Sequence, residues 1–187
     1  MPALTIELLR REAARFSAIE SHHAEPSLFG VTDGKAVGTY LEHKFRTHLR
    51  RRHYQFEQGN SASEIDFPGL HVDMKVTSIR QPQSSCPFNS ARQKIYGLGY
   101  SLLVFVYDKV DNRKSRTATL NILHTVFVEA ERTADFQMTR GFLETLRNAG
   151  NRDDLIAFML ERNLPVDEIE AGNIATRYYR IHPSKAF

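Results

Sequence analysis

Five residues able to do acid, base or metal chemistry fall in one short stretch: Glu64, Asp66, His71, Asp73 and Lys75. Leu70, Val72, Met74 and Val76 alternate with His71, Asp73, Lys75 and Thr77, the period-two pattern of a half-buried strand. Ile65 and Phe67 alternate with Glu64 and Asp66 ahead of the Pro68-Gly69 turn signal. A tight reversal there would set Asp66 opposite His71 and Glu64 opposite Asp73, with the polar residues on one face. Opposed residues on a sheet face lie about 5 Å apart and diagonal ones roughly 7–8 Å. Two or three carboxylates and one ammonium then converge. Like charges opposed across strands destabilise a sheet, and crowding drives one carboxyl to keep its proton. A divalent cation removes the conflict, and Mg²⁺ in particular takes one or two carboxylates while keeping water or phosphate oxygens. A lysine two residues past such an Asp shares its face and can hold or deprotonate a water beside a phosphate. Asp-x-Lys alone is far more often a solvent-facing polar strand in which the Lys neutralises the Asp. The acidic arm, the turn, the Val-Asp-Met-Lys-Val strand and Glu42 on an upstream helix together favour a site.

The elements that must position these residues can be read around them. Ile6, Leu9, Ala13 and Phe16 predict an amphipathic helix over about 3–20, with Glu7, Arg10, Arg11 and Glu12 on its other faces. Residues 21–30 read as a loop, and its His22-His23 pair diverges too much to ligate a metal. Thr32 or Asp33 can cap the next helix. Val37, Leu41, Phe45 and Leu49 form its buried stripe, and Glu42 at the edge of that stripe is either a surface residue or one aimed into a cleft, with the downstream motif favouring the cleft. Arg46, His48, Arg50, Arg51, Arg52 and His53 close it. Cations there complement the helix dipole, but three successive arginines exceed that need and suit a phosphate-binding edge. Residues 54–57 predict a short strand, and 59–63 a loop into the acidic arm.

Beyond Lys75 runs a polar segment with two prolines. Its Thr77, Ser78, Arg80, Gln81, Gln83, Ser84, Ser85 and Asn89 are side chains of the kind that bind phosphates and base edges. Cys86 has no activating neighbour and is given no nucleophilic role. Ser90 caps a short helix ending at Gly97 or Gly99, residues 101–107 form a buried central strand, and 108–116 a charged turn. Ala118, Leu120 and Ile122 begin another strand that extends through Val128. The C-terminal third reads as helical. Phe136, Phe142, Leu143 and Leu146 form one apolar face. Leu155, Ile156, Met159 and Leu160 form a second, buried one behind an Asn151 cap. A last short helix carries Val166, Ile169 and Ile174. The closing Arg177, Tyr178, Tyr179, Arg180, His182 and Lys185 suit either nucleic-acid contact or a terminal strand on the core.

With 187 residues, 41% hydrophobic and 25% charged, the composition is that of an ordinary globular protein and predicts a single domain. Its core would span about 31–128 and a helical addition about 132–187. The net charge of +3 hides a local basic field, because 43–56 holds five Lys or Arg and no acid. One cysteine excludes an internal disulfide and a cysteine-based zinc site. No apolar run reaches membrane-spanning length, and the N-terminal residues lack a signal-peptide pattern, so a cytoplasmic protein with no membrane partner is expected. No internal repeat, Gly-rich phosphate loop, GxSxG, HExxH or CxxC motif is present.

Asp66, Asp73-Met74-Lys75 and Glu42 resemble the PD-(D/E)XK nuclease motif, and the stretch 66–88 most resembles type II restriction endonucleases. The resemblance covers roughly 36–108. Two features depart from the pattern: the proline follows the first Asp instead of preceding it, and the Asp66–Asp73 spacing is short. Glu64 is therefore an alternative to Asp66, or shares its role. The resemblance implies an α/β fold with an αβββαβ core, a mixed central sheet and extra C-terminal helices. It implies hydrolysis of a DNA phosphodiester by in-line attack of water, with the 3′ oxygen leaving. Asp66 and Asp73, with Glu64, would hold Mg²⁺, for which Mn²⁺ would substitute. Lys75 would serve the attacking water, and Glu42 a further water or second cation. Double-stranded DNA would be the substrate, a homodimer the working form on a palindrome, and a methyltransferase of the same specificity the partner. A repair or recombination nuclease of the same fold is the nearest alternative, and a DNA-binding module without catalysis the next.

Overall fold

The computed structural model describes residues 2–59, 65–82 and 88–182. Helix α1 (Ile6–Glu20) starts where the Thr5 hydroxyl accepts the Leu8 N–H at 3.3 Å. Helix α2 (Gly34–Arg51) starts at Asp33, whose carboxylate accepts the N–H groups of Lys35 and Ala36 at 3.0 and 3.1 Å. Such a cap contributes about 1 kcal/mol. The predicted stripe Val37, Leu41, Phe45 and Leu49 is buried. In α1 the pattern departs from expectation at two positions: Ile6 is exposed and Glu12 is fully buried. Burial of that carboxylate is tolerated because it is surrounded by donors. Tyr54 Oη donates to it at 3.1 Å, Arg15 Nη1 lies at 3.0 Å and His48 Nε2 at 3.0 Å.

The sheet has four strands, β1 (Ala24–Glu25), β2 (Val72–Ser78), β3 (Ser101–Asn112) and β4 (Thr117–Val128), in the order β1-β4-β3-β2. β2 runs parallel to β3 in the register Val72↔Ser101 to Ser78↔Tyr107, whereas β3–β4 and β1–β4 are antiparallel. The sheet is thus mixed, as expected. β3 has a neighbour on each side, and Leu102, Leu103, Phe105 and Tyr107 are buried accordingly.

Several local expectations need correction. β1 lies within the segment read as a loop. Residues 54–57 form no sheet strand. Gln55 instead bridges Ala3, with Leu4 N–H donating to Gln55 O at 2.9 Å and Gln55 N–H to Pro2 O at 3.0 Å. β3 continues to Asn112, so the reversal is shorter than 108–116. The turn at Pro68-Gly69 is also wider than a two-residue hairpin. Phe67 pairs with Val72 through Phe67 N–H to Val72 O at 2.9 Å, and Pro68–Leu70 forms a 3₁₀ turn closed by His71 at φ 52°. The reason is steric. The favoured two-residue type I′ turn needs positive φ at its first central residue, which the Pro68 ring forbids. His71 therefore lies in the turn, not on the acidic face, and Asp66 faces Asp73.

The chain forms two compact units. The first comprises residues 1–86 and 100–129. Its core joins α1, α2 and the sheet through Phe16, Phe45 and Phe105, whose ring centroids lie 5.2 to 6.0 Å apart. The second comprises residues 87–99 and 130–187. It holds α3 (Ala91–Tyr96), α4 (Phe136–Arg147), α5 (Arg152–Glu161) and α6 (Glu168–Ile181). α3 ends at Gly97, whose φ of 99° is open to glycine, and where an added Cβ would lie 2.5 Å from Ala130 O. Met138, Phe142, Leu146, Leu155, Met159 and Ile174 fill this core. Leu160, expected to be buried, is exposed, as are Phe136 of the first apolar face and Ile169 of the last helix. α6 is longer than the short helix expected and includes residues 177–181, so no terminal strand forms there. Tyr178 packs edge-on to Phe142 at 4.8 Å between centroids. No helix among the described residues is long and apolar enough to cross a membrane.

Candidate active site

β2 separates two chemistries by alternation. Val72 and Met74 enter the core, while Asp73 and Lys75 share the other face, with Asp73 4% exposed and Lys75 half-buried. Lys75 Nζ lies 2.8 Å from Asp73 Oδ2. Asp66, carried opposite Asp73 by the Phe67–Val72 bridge, is gripped at both oxygens. Oδ2 accepts the Met74 N–H at 2.9 Å, and Oδ1 accepts Arg46 Nη1 at 2.6 Å. Arg46 stands one helical turn beyond Glu42 on α2, where i and i+4 side chains are neighbours. Gly38, a turn before Glu42, faces Val76 of β2 and the Glu42 carboxylate, so α2 lies over β2 with Glu42 turned towards it.

The carboxyl groups feel one another. Glu42 is pushed up to about 7, chiefly by burial and then by the Asp66 charge, against the opposing pull of Arg46 and Lys75. Asp73 is pushed up to about 6, chiefly by burial, with Lys75 lowering it and Asp66 raising it. The folded protein therefore holds protons that the unfolded chain releases at ordinary carboxylate pKa values. The contribution of these two groups to stability falls as pH rises through about 4 to 7, because at each of them the native state binds more protons than the unfolded state. In EDTA, Glu42→Gln should be more stable than wild type at pH 8, by about 1 kcal/mol after discount for solvent screening. At pH 4.5 the difference should shrink towards zero. Urea denaturation at the two pH values checks this, and an equal effect at both would contradict it.

Beside Glu42 and Lys75 opens a cleft of about 770 Å³, lined also by Thr77, Ser78, Arg80 and Gln81. These four predicted DNA-contacting residues are thus gathered with the two reactive ones. Arg80 meets Asp108, its Nε 2.6 Å from Asp108 Oδ1. Arg50, Arg51 and Arg52 close the far end of α2 and do not line this cleft. Arg50 donates to Gln58, and Arg52 Nε lies 3.6 Å from Glu12. Asn89 belongs to the second unit, where its N–H donates to Gln93 Oε1 at 2.7 Å. Glu64, Gln83, Ser84, Ser85 and Cys86 lie outside the described residues.

Arg46 is the site residue that sequence reading passed over, grouping it with the cations that end α2. The signal was its four-residue spacing from Glu42. Among the described residues no three His, Cys, Asp or Glu side chains form a ready cage for a metal ion. What converges is a pair of carboxylates, and the buried Oδ2 of Asp73 has the Lys75 ammonium as its neighbour at 2.8 Å. That donor set suits a hard cation that takes one or two carboxylates and retains its own water, and does not suit zinc or a calcium cage.

A family model for the type II restriction enzyme NspV matches residues 3–187. A curated relative, the type II restriction enzyme NspV of Nostoc sp., is 73% identical over 187 residues, covering 100% of this chain and 84% of the relative. No solved structure matches. With a family match over nearly the whole chain and identity this high, the chain belongs to the NspV family of type II restriction enzymes.

Proposed function

We propose that the chain is a Mg²⁺-dependent endonuclease that hydrolyses a phosphodiester in each strand of a specific duplex sequence, with Mn²⁺ able to substitute. The observation that carries this reading is the meeting of Asp66, Asp73 and Lys75 beneath Glu42, with Lys75 Nζ 2.8 Å from Asp73 Oδ2. Asp66 and Asp73 would hold the cation, with Glu64 sharing or taking the first-arm role. When bound, the cation would polarise a phosphoryl oxygen and lower the pKa of a water. Lys75 orients the attacking water and stabilises charge developing on the phosphoryl oxygens. Glu42, held near neutrality in its protonation, keeps a water at the cleft edge and accepts a proton from it.

Thr77, Ser78, Arg80 and Gln81 continue the β2 strand along the cleft and meet the DNA strand to be cut. Gln83, Ser84, Ser85 and Asn89 are proposed to contact DNA on the strength of side-chain chemistry alone. A chain of this size covers one half-site, so a homodimer on a palindrome follows from symmetry. A methyltransferase of the same specificity would protect the host DNA in the cytoplasm. Incubation of supercoiled plasmid with enzyme and Mg²⁺ tests the reading directly. Discrete fragments are expected, absent in EDTA and restored by Mn²⁺. A smear would point to a nuclease that reads DNA structure, and retarded but uncut DNA to a binding module.

The Arg50-Arg51-Arg52 run supplies sequence-independent affinity in this reading. Removing one phosphate-bound cation lowers the slope of log K against log salt by roughly 0.9. Replacing all three with Gln should weaken cognate and non-cognate duplexes alike and flatten the salt dependence. Filter binding in Ca²⁺ over a salt series measures it. An unchanged slope would leave these arginines with Gln58, Glu12 and the helix dipole as their only partners among the described residues.

A further inference from the structure

Arg46 is half-buried with its side chain 17% exposed, on the turn of α2 beyond Glu42. Its Nη1 lies 2.6 Å from Asp66 Oδ1, and its Nε is buried with no hydrogen-bond acceptor. Asp66 Oδ2 is committed to the Met74 N–H at 2.9 Å. Oδ1 is therefore the Asp66 oxygen not held by the backbone, and a guanidinium sits on it. Asp73 is matched in the same way by Lys75 at 2.8 Å. Each of the two aspartates thus carries its own cationic side chain.

We propose that Arg46 is an exchangeable counterion of the site. Without DNA it neutralises Asp66 and competes with the divalent cation for Oδ1. When a DNA phosphate enters the cleft, the guanidinium turns its planar fork, with the uncommitted Nε–H, to a phosphate oxygen and yields Asp66 to the metal. A guanidinium suits this exchange because its fork matches carboxylate and phosphate oxygens equally well. The consequence is a coupling between two ligands. DNA tightens metal binding, metal tightens DNA binding by the same factor, and Arg46 carries part of that factor. The inference rests on the metal-site reading of Asp66 and Asp73 given above.

Calorimetry with Ca²⁺, which permits binding without cleavage in the test, separates the two. Ca²⁺ affinity is measured for wild type, Arg46→Met, Arg46→Lys and Asp73→Asn, each with and without a cognate duplex, after circular dichroism has verified folding. Arg46→Met should bind Ca²⁺ roughly three- to tenfold more tightly than wild type in the absence of DNA, the effect of removing one competing charge. Its gain in Ca²⁺ affinity on adding duplex should be correspondingly smaller. Arg46→Lys, which keeps the charge, should resemble wild type without DNA and lose part of the coupling. If Asp73→Asn loses Ca²⁺ while Arg46→Met binds it no more tightly than wild type, or keeps the full coupling to DNA, Arg46 is a fixed structural partner of Asp66 and the inference is overturned. If Asp73→Asn binds Ca²⁺ as wild type does, the metal-site reading falls and this inference falls with it.

Discussion

Lys75→Ala should reduce cleavage by roughly 10²–10⁴-fold, the range expected for loss of a positioned proton-handling group, while DNA affinity in Ca²⁺ stays within a few-fold of wild type. The reason lies in its placement. Lys75 extends from the same strand face as Asp73 and reaches its carboxylate at 2.8 Å, and in the proposed mechanism it would orient the attacking water. Its removal leaves a carboxylate that is 4% exposed without its cation. Asp73 can answer by keeping a proton, which limits the cost to stability to about 1–2 kcal/mol. Single-turnover cleavage of a labelled duplex, with denaturation on the same preparation, checks both halves. Near-normal cleavage by a folded Lys75→Ala protein would remove Lys75 from the chemistry.

Asp73→Asn should abolish Mg²⁺-dependent cleavage and Ca²⁺ binding together, a loss on the order of 10³-fold or more in rate. Stability should move the other way. The wild-type carboxyl is pushed up to about 6 by burial, so at pH 8 without metal the protein carries an ionised group in a place that disfavours it. The neutral amide removes that burden, and the variant should be more stable than wild type in EDTA at pH 8. Below about pH 3, where the carboxyl is protonated both folded and unfolded, the advantage should vanish. The companion test lies across the turn. Asp66→Asn should be comparably inactive, because Asp66 directly faces Asp73 and its orientation is set by Met74 N–H and Arg46. An inactive Glu64→Gln beside an active Asp66→Asn would move the first-arm ligand to Glu64 and leave Asp73 and Lys75 unchanged.

Much of this was legible in the residues themselves. Alternation from Val72 to Ser78 marks β2, and because its period is two it also decides that Asp73 and Lys75 share a face opposite Met74. The four-residue spacing of Val37, Leu41, Phe45 and Leu49 marks α2 and leaves Glu42 at the edge of its buried stripe. The Asp33, Ser90 and Asn151 caps are local hydrogen bonds between a side chain and its own helix, so neighbouring sequence suffices to find them. Local period carries no information about partners. It could not say that α5 and α6 would leave Leu160 and Ile169 exposed, since a helical stripe is buried only as far as another element covers it.

What the sequence by itself determined is the set of reactive residue types, their spacing on one strand, and the helix that carries Glu42. The tertiary structure decided the rest. Pro68 and the φ of His71 widened the turn by two residues, which placed Asp66 against Asp73 and left His71 in the turn. The packing of α2 over β2 brought Arg46 to Asp66 across twenty residues of chain, and raised Glu42 and Asp73 by taking them out of water. The packing of α1 against α2 buried Glu12 among His48, Tyr54 and Arg15, in a helix whose period had assigned it to solvent. These outcomes share one physical cause. Burial, charge pairing and pKa depend on distances between elements, and only the folded chain has such distances.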